Sequence, residues 1–207
     1  MRRSIIITDD FHEDPHLVRN YAISAEYKKE ETSTYPGYNS TTGFQEDLLK
    51  SKIETILQRP IKPSNPFGYF RYSWETADEE NSKLQKVHVD NGWEFGGVCY
   101  LNTPEQLKDH QDAGTLFARH KILKTDATPR TKEEAELFGY NHYDELRQSI
   151  IYGDGLDLDK WDLYSKVPPK FNRLILFRAW MYHSHHINFG PKDPAQSRLV
   201  QLFFFNL

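Results

Sequence analysis

The sequence predicts a mostly β-sheet protein (α+β), built as an antiparallel sandwich or barrel with a few supporting helices. Seven short runs rich in branched and aromatic residues carry this prediction: FGYFRYSW, KLQKVHVD, GGVCYLN, GTLFARHK, NRLILFRAW, YHSHHINF and SRLVQLFFFN. Each is bounded by Gly, Pro, Asn or Asp, as strands commonly are. Aromatic residues make up 14% of the chain, which also fits a β-rich core.

A single domain accounts for the whole chain, because 207 residues can bury one sizeable core. Residues 1–66 predict a first strand and helical support. Residues 67–121 and 171–207 hold the β-runs. Residues 122–170 interrupt them with two helical stretches and a long loop. An insertion of this length is more often a binding element than an idle loop, so we expect it to act as a lid.

The composition bears on the class of protein and on its compartment. Thirty acidic and 26 basic residues leave a net charge of −4, which gives no electrostatic case for a nucleic-acid partner. The single cysteine, Cys99, cannot form an internal disulfide and indicates a reducing compartment. The apolar run at residues 5–7 is too short for a signal peptide or a membrane span. We therefore expect a cytoplasmic protein without a membrane partner.

Three of the nine histidines fall within four positions of the segment MYHSHHINFG: His183, His185 and His186. A mononuclear iron centre that also binds a cosubstrate and oxygen needs two histidines and one carboxylate, which leave three coordination positions open. The usual signal is His-x-Asp followed by a distant histidine, because residues i and i+2 of a strand point to the same side. This decapeptide can supply the distant histidine.

The His-x-Asp pattern itself occurs four times: His12/Asp14, His88/Asp90, His110/Asp112 and His142/Asp144. The first aspartate has a role as the N-cap of a helix that begins at Pro15. The third pair lies in a charged connection, and the fourth lies in a helical stretch, where i and i+2 point about 200° apart. The second pair ends an alternating segment and is the preferred one. The alternative for it is a surface histidine beside a turn-forming Asp-Asn-Gly.

The last predicted strand carries an arginine on the side that should face the core. Arg198 alternates there with Val200, Leu202 and Phe204. A buried guanidinium is strongly destabilising without an anionic partner, and a carboxylate held in a bidentate fork would supply one. The charges of a divalent cation, Asp90 and this arginine together favour a dicarboxylate. The alternative is an edge arginine that reaches solvent.

Four segments follow one another along the chain: HVDN with GGVCYLN, then GTLFARHK, NRLILFRAWMYHS and RLVQLFFF. In this order they resemble the sequences of the 2-oxoglutarate/Fe(II)-dependent dioxygenases. The chain is most similar to small prolyl-hydroxylase-like members of unassigned substrate, and TDDFHEDPHLVRNYA and the YPG at residues 35–37 also look like that branch. The resemblance covers nearly the whole chain apart from the insertion. It implies a double-stranded β-helix of the jelly-roll or cupin-like type that binds Fe(II) at one open end.

The resemblance also implies roles for five residues. His88, Asp90 and His183 match the metal ligands of the catalytic centre. Arg198 matches the arginine that binds the distal carboxylate of 2-oxoglutarate. Tyr100 matches a tyrosine whose hydroxyl helps to hold that carboxylate, and its alternative is a core tyrosine satisfied by the backbone.

Two features bear on that pattern. Val200 stands where the family often has Ser or Thr, two residues after the arginine. His185 lies two residues from His183, could face the same way on a strand, and so is a rival for the distal metal ligand.

The implied activity is hydroxylation of an unidentified small-molecule or peptide substrate, with O2 and 2-oxoglutarate consumed and succinate and CO2 released. Because Asp90 completes the ligand set, hydroxylation is favoured over halogenation, which in related enzymes needs a small residue at that position. Two other interpretations stay open. One is a cupin-type metalloenzyme that does not use 2-oxoglutarate, and the other is a non-catalytic jelly-roll binding module.

Overall fold

The computed structural model describes residues 5–29, 35–79 and 87–207. The strands in those ranges are β1 (Ile5–Thr8), β2 (Tyr27–Lys28), β3 (Tyr38–Gly43), β4 (Lys62–Ser73), β5 (Phe95–Tyr100), β6 (Thr115–His120), β7 (Trp161–Val167), β8 (Leu174–Arg178), β9 (His183–His185) and β10 (Arg198–Asn206). The α-helices there are α1 (Pro15–Ser24), α2 (Glu46–Leu57), α3 (Pro104–Leu107), α4 (Lys132–Glu136) and α5 (Tyr143–Gln148).

These strands form two antiparallel sheets. The larger has the order β1-β8-β5-β10-β4-β3-β2, and the smaller has the order β7-β6-β9. Phe117 from the smaller sheet packs in one apolar cluster with Phe177 and Leu202 from the larger sheet, so the two sheets face each other. The prediction of a mostly β protein with few helices is confirmed.

The helices α1 and α2 belong to the other face of the larger sheet. Val18 and Ile53 from these helices share a buried cluster with Phe203 and Phe205 of β10. As the sequence predicts, Asp14 caps α1, and its Oδ1 accepts a hydrogen bond from the Leu17 backbone N–H at 2.9 Å. No helix in the described part of the chain has the length and apolar character needed to cross a bilayer.

Two strands lie in segments whose composition is typical of loops. β3 falls within TSTYPGYNSTTG and pairs with β4, while β7 falls within GDGLDLDKWDLYSKVPPK and pairs with β6. Both segments are polar or rich in turn-forming residues, so their composition hid a strand that pairing with a neighbour stabilises. The segment KLQKVHVD, in contrast, was predicted to be a strand. Its residues 83–86 lie outside the described residues, and its end forms one isolated bridge, not a ladder.

The prediction for His142 and Asp144 was wrong in detail. His142 is the N-cap of α5 and not part of the helix, and its Nδ1 accepts a hydrogen bond from the Asp144 backbone N–H at 3.2 Å. The two side chains therefore lie 3.4 Å apart, on the protein surface. They form a local cap.

Candidate metal centre

His88, Asp90 and His183 converge in one cavity of the protein. Each offers a ligand atom, and these atoms all lie within 4.8 Å of one another. All three residues are buried, with 5–7% of their surface exposed. Asp90 Oδ2 lies 3.3 Å from His183 Nε2, and the centroids of the two imidazole rings are 4.3 Å apart. Two histidines and one carboxylate thus meet at a spacing that suits a metal ion.

Backbone pairing explains why residues so distant in sequence meet. His88 and His183 form an antiparallel bridge, in which each N–H donates to the other's carbonyl at 2.9 and 3.0 Å. Directly opposed residues project their side chains to the same face. Asp90, two positions on, follows the alternation of extended chain, and its N–H donates to the Ala179 carbonyl at 2.8 Å.

Each of the two histidines keeps a ring nitrogen available to coordinate a metal ion. His183 Nδ1 lies 2.9 Å from the Met181 carbonyl oxygen, which can only accept, so Nδ1 carries the proton and Nε2 keeps its lone pair. That lone pair faces the Asp90 carboxylate, an arrangement that repels unless a proton or a cation lies between them. His88 Nδ1 is buried and has no hydrogen-bond partner within the described residues. The donor set therefore fits a divalent cation.

Burial and neighbouring charges set the protonation states. Burial lowers the pKa of His88 well below its usual value, and the electrostatic influence of the neighbouring His183 adds to this effect, so the His88 ring is neutral. Burial alone would raise the pKa of Asp90, but His183, His88 and the Tyr35 hydroxyl outweigh burial and hold that pKa below its ordinary value. A neutral imidazole and an ionised carboxylate are the forms that bind metal.

Tyr35 and Gly96 shape the centre, and the sequence did not single out either for this role. The Tyr35 hydroxyl donates to Asp90 Oδ1 at 3.2 Å, and its ring stands edge-on to His88 at 4.7 Å. A Cβ at position 96 would lie 2.6 Å from Asp90 Oδ2, so only glycine leaves room for the carboxylate. The sequence signal for Gly96 was the pair of adjacent glycines inside a strand, as in FGGVCY. Glycine inside a strand often marks a place where another group approaches the backbone closely.

The metal-binding cluster lines a cavity that is open to solvent. Arg198 lines it together with Val200, Leu202 and Phe204, the residues that the sequence placed on the same face of β10. Arg198 is 6% exposed, and its Nε donates to the Ala113 carbonyl at 3.2 Å. None of the described carboxylates forms an ion pair with it, and burial lowers its pKa. A buried cation thus faces the same space as the metal-binding cluster.

Tyr100 lies beside this arginine but does not line the cavity. Its hydroxyl shares a 2.7 Å hydrogen bond with Thr115 Oγ1, and Thr115 does line the cavity. The Arg198 guanidinium carbon is 5.9 Å from the centre of the Tyr100 ring. The hydroxyl is therefore satisfied by a side chain and not by the backbone.

The other two histidines of the decapeptide are outside the cluster. His185 lines the cavity, but its Nε2 lies 3.3 Å from Asp78 Oδ1, away from the metal-binding group. His186 is exposed. The remaining His-x-Asp pairs are also separate, since His12 bonds to Gln201 and His110 stacks on Phe189.

Residues 122–170 contribute no residue to the described lining of this cavity. Leu146 and Ile150 from the insertion pack instead with Val87 and Val89, which alternate with the candidate ligands. Because side chains alternate along extended chain, the insertion lies behind this segment while the ligands face forward. In this structure the insertion supports the ligand segment from behind, and its role as a lid stays a prediction.

Comparisons with known proteins give one family and several distant structures. A family model described as "Family of unknown function (DUF6445)" matches residues 1–205. No curated protein sequence matches the chain.

Solved structures with similar chains include three oxygenases. A prolyl-4-hydroxylase from Pseudomonas putida is 14% identical, with a TM-score of 0.47 and coverage of 98% of this chain and 92% of its own. A Trichoplax adhaerens prolyl hydroxylase bound to a hypoxia inducible factor peptide is 15% identical, with a TM-score of 0.49 and coverage of 97% and 83%. The Fe(II)/α-ketoglutarate-dependent dioxygenase TqaL is 11% identical, with a TM-score of 0.47 and coverage of 98% and 82%. At TM-scores below 0.5, none of them assigns an activity to this chain.

Proposed function

The chain belongs to the family of unknown function DUF6445, and because that description assigns no activity, we propose from the site that it is an Fe(II)- and 2-oxoglutarate-dependent dioxygenase that hydroxylates its substrate. One observation carries the proposal. A buried cluster of two histidines and one aspartate opens into the same cavity as a buried arginine that has no ion-pair partner among the described residues.

In this proposal His88, Asp90 and His183 hold the metal ion. Three protein ligands leave coordination positions open for a cosubstrate and oxygen, and His₂-carboxylate sets of this kind suit Fe(II). When bound, Fe(II) and 2-oxoglutarate supply the activation of O2 and the oxidising equivalents, with release of succinate and CO2. The Met181 carbonyl orients His183, and Tyr35 orients Asp90, so both ligands are fixed before metal binding.

Arg198 supplies the positive charge that a second carboxylate of the cosubstrate needs. Its Nε bond to the Ala113 carbonyl fixes the position of this side chain in the cavity lining. Thr115 gives a hydroxyl on the cavity wall, and Tyr100 holds that hydroxyl from behind. This arrangement replaces the hydroxyl that Val200 lacks.

The apolar part of the lining limits the access of water to the reacting atoms. Phe177, Leu202 and Phe204 face the cavity beside the candidate ligands. An apolar wall of this kind strengthens the electrostatic interactions beside it. The chain therefore offers metal binding, carboxylate binding and shielding in one place.

The test is an anaerobic thermal-unfolding titration with Mn(II) or Fe(II), with and without 2-oxoglutarate. A ligand at 100 times its dissociation constant should stabilise the native state by about 2.7 kcal/mol. We expect metal to stabilise the wild type and 2-oxoglutarate to stabilise it further, with succinate released when O2 is admitted. His88→Ala should lose both responses.

A matched variant separates the proposal from its two alternatives. Arg198→Leu should keep the metal response and lose the 2-oxoglutarate response. If metal stabilises the wild type and 2-oxoglutarate adds nothing, the chain is a metalloenzyme of another type. If metal itself has no effect, the chain is a binding module.

A further inference from the structure

The wall of the metal cavity changes in character along β10. Arg198 is the first residue of this strand and is opposite Ser73. Leu202 and Phe204 line the same cavity further along, and Leu202 is opposite Val98. At about 3.4 Å per residue, Phe204 lies about 20 Å along the strand from Arg198. The cavity therefore has a polar end and an apolar end.

The apolar end borders the candidate metal ligand Asp90. Phe204 is directly opposite Gly96 on β5, and opposed residues of paired strands share one face of the sheet. A Cβ at position 96 would lie 2.6 Å from Asp90 Oδ2 and 3.3 Å from a ring carbon of Phe177. The Phe204 side chain is thus a neighbour of the metal-binding cluster.

Trp93, on the turn that follows Asp90, extends the apolar wall outward. Its ring stacks on the Phe204 ring, with the centroids 4.4 Å apart and the planes at 30°. Both residues are half-buried, so part of this aromatic surface is in contact with solvent. Asp90 and Trp93 also line an outer groove, to which Tyr143 of the insertion contributes. The stacked pair therefore lies where the metal cavity adjoins this groove.

The Phe204 end of the cavity favours an uncharged, apolar group. The two arginines of the described lining are at the other end, since Arg198 begins β10 and Arg71 is opposite Val200. A charged group beside Phe204 would lose hydration without gaining a counter-charge from the neighbouring wall, whose described residues are Gly97, Val98, Phe177 and Leu202. An apolar group there gains free energy in proportion to the area that it removes from water.

We propose that Phe204 and Trp93 form the substrate subsite, and that this subsite holds an uncharged apolar group of the substrate beside the metal site. The inference rests on the proposed function, because the cosubstrate then occupies the Arg198 end and leaves the Phe204 end to the substrate. The remainder of the substrate extends into the outer groove beside the insertion.

The test uses three probes that carry the same aromatic ring: neutral benzyl alcohol, anionic benzoate and cationic benzylammonium. The wild type is saturated anaerobically with Mn(II) and 2-oxoglutarate, and NMR follows the relaxation of the ring protons of each probe. A sample with diamagnetic Zn(II) gives the baseline. We expect Mn(II) to enhance the relaxation of bound benzyl alcohol in a saturable way, and the two charged probes to bind at least about tenfold more weakly.

Variants of the stacked pair test the subsite itself. Phe204→Ser should lower the affinity for benzyl alcohol by about fivefold or more, and Phe204→Leu should retain part of it. Trp93→Leu should also weaken binding. The affinities of these variants for Mn(II) and 2-oxoglutarate should stay within about threefold of the wild type, because neither ring holds the metal ion or the cosubstrate.

The control variant is Leu163→Ser. Leu163 lies on β7, is 46% exposed and is outside the described linings of the cavity and of the outer groove. This variant removes an apolar side chain of the surface and should bind all three probes like the wild type.

Three results would overturn the inference. Benzoate or benzylammonium could bind as tightly as benzyl alcohol, benzyl alcohol could bind without enhanced relaxation by Mn(II), or Phe204→Ser and Trp93→Leu could both bind it normally. The first two results come from the wild type and do not depend on the folding of a variant.

Failure of the proposed function looks different, since the wild type would then not respond to Mn(II) and 2-oxoglutarate at all. Saturation-transfer NMR of benzyl alcohol with the metal-free wild type and Phe204→Ser would still decide whether this wall binds an apolar ring.

Discussion

Each face of β10 holds a buried polar side chain, and the two differ in how fully their hydrogen-bonding groups and charge are paired. On the helix side, Gln201 is fully buried, accepts a hydrogen bond from His12 Nε2 at 2.9 Å and donates one to the Gly68 carbonyl at 2.9 Å. On the cavity side, Arg198 is 6% exposed and has one hydrogen bond within the described ranges, to the Ala113 carbonyl. The two side chains belong to the same strand but point to opposite faces of the sheet.

This difference distinguishes a buried polar side chain that stabilises the fold from one that is available to bind a ligand. A buried amide with both of its groups bonded stabilises a fold, whereas a buried charge without a counter-charge destabilises it. On β10, that destabilising feature lies on the side that lines the cavity of the candidate metal ligands. We infer that the helix side is complete as folded and that the cavity side is completed by anions and a cation.

The largest expected effect comes from exchanging each of these two side chains for leucine. Gln201→Leu should lower the free energy of unfolding by about 1–3 kcal/mol, because the His12 ring nitrogen loses its acceptor. Arg198→Leu should leave the free energy of unfolding of the ligand-free protein unchanged or raise it by about 1–4 kcal/mol, because a buried charge is replaced by an apolar group. Chemical denaturation without ligands measures both values. Equal destabilisation by the two variants would abolish the contrast.

The next effect concerns pH and the helix side. Burial lowers the pKa of His12 from its usual value to about 4, although the hydrogen bond to Gln201 opposes the shift. The folded state keeps this ring neutral while the unfolded state gains a proton, so the stabilisation is complete above pH 6.5 and is lost as the pH falls toward 4. On the order of 3 kcal/mol should be lost over this range.

Denaturation curves of the wild type and His12→Gln between pH 7 and pH 4 measure this effect. The difference in slope between the two proteins is the signature of His12. Parallel curves would show that the ring is not held neutral.

A smaller effect is expected from one methyl group at the metal centre. Gly96→Ala places a Cβ 2.6 Å from Asp90 Oδ2, so the carboxylate must move. We expect the affinity for Mn(II) to fall by about 10–100-fold, as when the orientation of a ligand is lost. Gly153→Ala is the matched control, since nothing lies within 4 Å of its added Cβ. Unchanged Mn(II) binding in Gly96→Ala would argue against Asp90 as a ligand.

The smallest effect is expected at the hydroxyl beside Arg198. Thr115→Val keeps the shape of the side chain but removes the partner of the Tyr100 hydroxyl and a donor to the cavity. The affinity for 2-oxoglutarate should fall by about fivefold, which corresponds to about 1 kcal/mol. Thr115→Ser should retain the wild-type affinity. Adding Val200→Ser to Thr115→Val should restore part of the loss if a hydroxyl from either strand can serve.

Local patterns in the sequence were enough to predict several features. The Asp14 cap, most strands and the common face of Arg198 and Val200 depend on helix and strand periodicity, which neighbouring residues determine. Strands β3 and β7 could not be predicted, because polar, turn-like segments become strands only through pairing with a neighbour. The roles of the individual site residues stay predictions.

The sequence by itself determined which residue types alternate on which face: His88 with Asp90, and Arg198 with the apolar lining of β10. It left open whether His183 or His185 faces the centre, and it did not indicate that the Tyr35 hydroxyl bonds to Asp90. Only the tertiary structure decided those points, because they depend on strand register. The bridge between His88 and His183 brings together segments far apart in the chain, and a shift of one residue would turn every one of these side chains to the opposite face.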